Sequence, residues 1–164
     1  MDMNGYVVRR ANGSDASALR AIRLESLVDT PEAYGSVYDQ VARWNDARWR
    51  RMALEANFYL AERDGQVVGM ASGGFNDAHP GTHWLFAMYV SPSARGTGVA
   101  AALVGAVTRW ARRDHADALF LHVTESVTRA RAFYEKLGFR YNGERISMDR
   151  DPSITLLTME LALD

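Results

Sequence analysis

Apolar positions recur along this chain in two periods, and each switch from one period to the other marks an element. Tyr6-Val7-Val8-Arg9 reads as a short first strand. Asn12-Gly13-Ser14-Asp15 turns the chain, with Ser14 or Asp15 as a helix N-cap. Ala18, Leu19, Ile22, Leu24 and Leu27 then fall at roughly helical intervals and carry a helix to about Val28. Pro31 and Gly35 break it. A second helical region opens near Ser36, with Trp44, Trp49 and Met52 as its large apolar residues.

Strand-like runs follow. Phe58 to Arg63 and Gln66 to Phe75 flank Asp64-Gly65, a strong two-residue hairpin turn, and so predict an antiparallel pair. A polar loop, Asn76 to Gly81, leads to a strand over Thr82 to Val90. Val99 to Arg113 reads as a long helix and Ala118 to Val123 as a strand. Val127, Ala130, Phe133, Tyr134 and Leu137 line one face of a further helix, which Gly138 ends. Phe139 to Met148 and Ile154 to Leu163 form two last strands across the Asp149–Pro152 loop. The order β-α-α-β-β-β-α-β-α-β-β predicts an α/β fold with a mixed sheet of about seven strands.

Composition narrows the function. The 164 residues suffice for one domain with a proper core, taken as residues 1–164. A net charge of −1 supplies no global field toward nucleic acid or an anionic membrane. The local clusters Arg48, Arg50, Arg51 and Arg109, Arg112, Arg113 are mixed with apolar residues at helical spacing and read as solvated helix faces. With no cysteine, thiol nucleophiles, disulfides and Cys-ligated zinc are excluded. The four histidines show no i, i+4 pairing with acids, so no metal site is expected. No apolar run reaches the ~18 residues that span a bilayer, and the first residues lack a signal-peptide pattern. The expectation is a cytoplasmic protein with neither membrane nor nucleic-acid partners.

The chemistry centres on the turn after the Thr82–Val90 strand. Ser91-Pro92-Ser93-Ala94-Arg95-Gly96-Thr97-Gly98 carries that strand into a helix. Such a strand–glycine turn–helix unit aims backbone N–H groups and a helix dipole at one point, which suits a phosphate. A nucleoside triphosphate loop would need Lys and then Ser or Thr after the second glycine, but Val99, Ala100 and Ala101 stand there. Gly96-Thr97-Gly98-Val99-Ala100-Ala101 does match G-x-G-x-x-A of dinucleotide sites. Against that, Ser91 to Arg95 separate strand from glycine, and Asp117 precedes the next strand instead of ending it.

Arg95-x-x-Gly98-x-Ala100 resembles the Q/R-x-x-G-x-G/A motif of the GNAT superfamily of acyl-CoA-dependent N-acetyltransferases. Ala130-Arg131-Ala132-Phe133-Tyr134-Glu135-Lys136-Leu137-Gly138-Phe139 resembles the same family's A-x-x-x-Y-e-k-x-G-F segment, at the expected distance downstream. The resemblance covers nearly the whole chain. It implies a mostly antiparallel, GNAT-like sheet with flanking helices, splayed at a cofactor cleft between Trp84–Val90 and Ala118–Val123. One departure stands out: seven residues before the motif tyrosine the family often has Asn, and here it is Val127.

The resemblance also implies site roles. Acetyl-CoA would lie along the strand containing Met88, Tyr89 and Val90, its pantetheine amides pairing with the backbone of Met88 and Val90. Amides of Arg95, Gly96, Thr97, Gly98, Val99, Ala100 and Ala101 would hold the pyrophosphate, with the Arg95 side chain or backbone near it. Val127, Ala130, Phe133 and Tyr134 would form the facing wall. An amine would attack the thioester directly, with Met88 N–H stabilising the oxyanion and Tyr134 as general acid. His122 is a candidate base, with His83 and Glu25 as comparable choices; His79 and Asp77 fall in a surface loop. The acceptor, a small-molecule or peptide amine, would meet the segments 23–38 and 148–153, with Tyr34 and Tyr38 as an aromatic wall. Because these segments carry Arg as well as Asp and Glu, they do not choose between a polyamine, an amino acid, an aminoglycoside-like drug and a peptide N-terminus. Family members often form homodimers, for which Trp44, Trp49 or the final strand would supply apolar surface. The rival readings are a non-catalytic acyl-CoA-binding regulator and a dinucleotide-dependent oxidoreductase.

Overall fold

The computed structural model describes residues 5–164. The first four residues, on which much of the signal-peptide expectation rests, lie outside the described residues. Seven strands form one sheet: β1 (Val7–Arg10), β2 (Phe58–Arg63), β3 (Gln66–Phe75), β4 (His83–Val90), β5 (Ala118–Thr124), β6 (Arg140–Met148) and β7 (Asp151–Ala162). Their order across the sheet is β1-β2-β3-β4-β5-β7-β6. Every neighbouring pair is antiparallel except β4 and β5, which run parallel.

Helices cover the sheet on both faces. Along β2 the side chains alternate between them: Phe58 and Leu60 pack with α1 (Ala16–Asp29) and α3 (Asp46–Glu55), while Tyr59 and Ala61 pack with α4 (Val99–Arg113). One core gathers Leu19, Ile22, Leu27, Trp49 and Met70. The other gathers Leu103, Val107, Trp110, Leu119 and Phe139, with Tyr134 of α5 (Thr128–Lys136).

The second helical region divides into α2 (Tyr38–Val41) and α3. The division is local chemistry: the Asn45 side chain accepts from the N–H of Arg48 at 2.9 Å and caps α3. Trp49 is 1% exposed and fills the core beneath α1, so it has no surface to offer a second protomer. Among the described residues, no helix is long and apolar enough to cross a membrane.

Candidate active site

The cleft begins with one extra residue in β4. Met70 pairs with Tyr89 and Ser72 with Phe86, so three steps on β4 oppose two on β3. Ala87, at φ 54°, absorbs the surplus. The bulge reverses the side-chain phase: Leu85 and Val90 both reach the α4 core, while Tyr89 turns to the opposite core. It also turns β4 away from β5. The two strands pair only at His83–Leu119 and Trp84–Phe120, and diverge beyond.

A cavity of about 590 Å³ fills the opening. Met88 lines one side; Val127, Ala130 and Tyr134 line another; His122 and Arg23 complete it with Tyr34. Tyr134 is 9% exposed. Burial, and then the nearby Tyr34, push its pKa well above the ordinary tyrosine value, so its hydroxyl stays protonated at neutral pH. The Tyr34 hydroxyl donates to the Met88 carbonyl at 2.7 Å. Arg150 holds the Tyr34 segment from behind, donating to the carbonyls of Tyr34 at 2.9 Å and Pro31 at 2.6 Å.

His122 reaches this cavity because β5 alternates. Leu119, Leu121 and Val123 enter the α4 core, which leaves Phe120 and His122 on the other face. The imidazole packs 4.6 Å from the Trp84 ring. Register sets Thr158 opposite His122, with Thr158 Oγ1 3.2 Å from His122 Nδ1. That hydroxyl donates its one proton to Glu144 Oε1 at 2.7 Å. Thr158 therefore accepts from the histidine, which puts the imidazole proton on Nδ1 and leaves the lone pair on Nε2. Burial lowers the His122 pKa, with Glu144 opposing and His79 reinforcing the shift. His79 pairs with Glu144 at 3.3 Å and stacks on Trp84.

The glycine turn occupies the end of β4. A short 3₁₀ turn, Pro92–Ala94, precedes Gly96 at φ 77° and Gly98 at φ 89°. Gly98 sits at the N-cap of α4 without a side chain to cap it, so the N–H groups of the helix's first turn point outward unblocked. A Cβ built on Gly96 would meet nothing within 4 Å, so the turn is open in front. This is a cradle for an anionic group.

A model of the Acetyltransferase (GNAT) family matches residues 20–139. The chain belongs to this family. An uncharacterized N-acetyltransferase of Mycobacterium bovis is 38% identical over 120 residues, covering 70% of this chain and 72% of that one. Mycothiol acetyltransferase of Acidothermus cellulolyticus is 26% identical over 151 residues, 84% of this chain. The chain spans 45% of that relative's length. A Salmonella typhimurium protein, solved with its cofactor acetyl-CoA, superposes with a TM-score of 0.74 over 97% of this chain and 94% of its own, at 22% identity, a likeness of fold.

Within that frame, Met88, His122, Val127, Ala130 and Tyr134 share the cavity. Phe133 does not line it and packs edge-on against Tyr134. Residues 95–101 lie outside it, on the cradle. The Arg95 side chain turns back, giving hydrogen bonds to the Val90 carbonyl at 3.0 Å and to Asp29 at 2.6 Å. The Tyr89 side chain likewise points away, donating to Glu25 at 2.8 Å.

Two of the three candidate bases are elsewhere. Glu25 is held by Tyr89 and Ser91 and faces a separate hollow. His83 pairs with Asp114 at 2.6 Å, packed against Trp110, where β4 and β5 still touch. Tyr38 joins that other hollow, so of the two expected wall tyrosines Tyr34 alone lines the cavity. The expected mixture of acids and bases is also absent from the cavity: among the described residues Arg23 lines it, with no aspartate or glutamate. Thr158 and Glu144, unmarked in the sequence, are brought to His122 by strand register.

Proposed function

We propose that this chain is an N-acetyltransferase that moves the acetyl group of acetyl-CoA to an amine by direct attack. The observation that carries the reading is the bulge at Ala87: it frees Met88 from β3 pairing in the same cavity that receives Tyr134 and His122. The thioester end of the donor would lie at Met88, and the pyrophosphate on the amides at the start of α4.

In this reading His122 Nε2 accepts a proton from the amine as its nitrogen bonds to the acetyl carbon. The Met88 N–H donates to the oxyanion. When the carbon–sulfur bond breaks, the Tyr134 hydroxyl gives its proton to the departing sulfur. His122 then releases a proton to solvent and Tyr134 regains one, which restores both groups. The raised pKa of Tyr134 and the lowered pKa of His122 suit these opposite roles: at neutral pH the acid holds its proton and the base is free to take one.

The test combines calorimetric titration of coenzyme A with thiol release from acetyl-CoA across a panel of amines. Binding together with amine-dependent thiol release is the expected result. No binding of coenzyme A overturns the reading.

A further inference from the structure

The cavity shared by Tyr134 and His122 contains an uncompensated cation. Arg23 enters its wall from α1, and among the described residues no aspartate, glutamate or lysine lines the cavity. Arg23 Nη2 donates to Ser36 Oγ at 3.3 Å, and the guanidinium lies 5.3 Å from the centre of the Tyr34 ring. Nη1 is buried and finds no hydrogen-bond partner among the described residues. Burial draws the pKa of the group down, with Tyr34 opposing the shift, yet a guanidinium remains charged in proteins. Arg9, Arg95, Arg131 and Arg145 each face a carboxylate.

A buried cation with an unmade hydrogen bond destabilises the free protein. Its complement is an anion that arrives with a ligand. The donor's phosphates are not that anion, because residues 95–101 do not line this cavity. Most of the remaining lining is apolar, with Met52, Phe58, Leu85, Phe86, Met148 and Leu156 beside the neutral hydroxyls of Ser72 and Thr124. A polyamine or an aminoglycoside would bring further cations beside Arg23 with no acid to receive them.

We infer that Arg23 receives the carboxylate of the acceptor, and that the acceptor is a free α-amino acid with an apolar side chain. The inference rests on the acyl-transfer reading above. The carboxylate would take the unused guanidinium donor, the side chain would lie among the apolar residues, and the amine would face His122. A peptide N-terminus has an amide where this site calls for a charge.

The experiment compares matched acceptors: phenylalanine, phenylalanine amide and phenethylamine, with leucine and isopentylamine as a second set. Thiol release should give the amino acids a kcat/KM at least tenfold above their uncharged-end partners. Arg23→Met should abolish that ratio by slowing the amino acids while the plain amines stay within about twofold. The unliganded variant should be no less stable than the parent, because the substitution removes a buried unpaired charge. N-acetylphenylalanine should raise the Tm of the parent and not of Arg23→Met, a readout that needs no turnover. Equal rates for acid, amide and amine overturn the inference and leave acyl transfer standing. A thermal shift without turnover upholds the carboxylate site and overturns the catalytic reading. Neither shift nor turnover overturns both.

Discussion

The Tyr34 hydroxyl donates to the Met88 carbonyl at 2.7 Å and joins the segment after α1 to the bulged strand. Burial pushes its pKa up to about 12, so the donor stays protonated across the working range. Tyr34→Phe removes one hydrogen bond and keeps the ring against Arg23. The expected loss of stability is about 1 kcal/mol, read by denaturant unfolding. Because Met88 then has a looser neighbour on its carbonyl side, kcat should fall about fivefold to tenfold, with calorimetric affinity for coenzyme A unchanged.

Tyr134→Phe tests the general acid. The ring keeps its packing on Phe139 and Phe133, so the fold should tolerate the change. Steady-state kinetics should show kcat down by roughly a hundredfold or more, with coenzyme A bound as before. An unchanged kcat would remove Tyr134 from the chemistry and leave it as a core residue.

The turn and Tyr134 were legible in the sequence because both are local. Positive φ at Gly96 and Gly98 demands glycine, and the stripe of Ala130, Phe133, Tyr134 and Leu137 follows from one helix period. The split of the second helical region was also within reach, since Asn45 is an N-cap residue of the expected type. The bases were not separable. His83, His122 and Glu25 are alike as letters, and their roles depend on partners far along the chain: Asp114, Thr158 and Tyr89. The Thr158–His122 contact depends on β5–β7 register, which no single strand encodes. The isolation of Arg23 is a property of the whole cavity.

The pH profile follows from the lowered pKa of His122. A base must be neutral to act, so the acid limb of kcat/KM should have its midpoint below the ordinary histidine value of about 6.5. Thr158→Val removes the group that holds the proton on Nδ1. It should lower kcat about tenfold with little change in KM. Stability has the same sign. Between about 6.5 and the lower folded value, the unfolded chain binds a proton that folded His122 refuses, so stability falls as pH falls through that window. His122→Asn should flatten that part of a Tm-against-pH curve. Glu144 and Asp15, both held below the ordinary carboxylate range, act only at lower pH.

Gly96→Ala separates strain from recognition. Its φ of 77° costs a side chain about 1–2 kcal/mol, while the new methyl meets no protein atom. The methyl would stand before the open amides of α4. Affinity for coenzyme A should drop tenfold or more by calorimetry, whereas S-acetyl-pantetheine, which has no pyrophosphate, should be turned over at the parent rate. Equal loss for both would place the phosphates elsewhere.

Gly73 tests the packing behind the cleft. A Cβ there would clash with the Trp110 ring, which is hemmed in by Phe75 and His83. An indole cannot swing aside as the end of a flexible chain can, so β3 or α4 must shift. Gly73→Ala should destabilise by about 1–3 kcal/mol, a fall in Tm of roughly 3–10 °C for a chain of this size. Because Gly73 pairs with Leu85, next to the bulge, a shift of β3 would be felt at Met88. Gly73→Ala combined with Trp110→Phe should recover part of the lost stability, since the smaller ring makes room for the methyl. Loss that simply adds in the double variant would show that the crowding lies elsewhere.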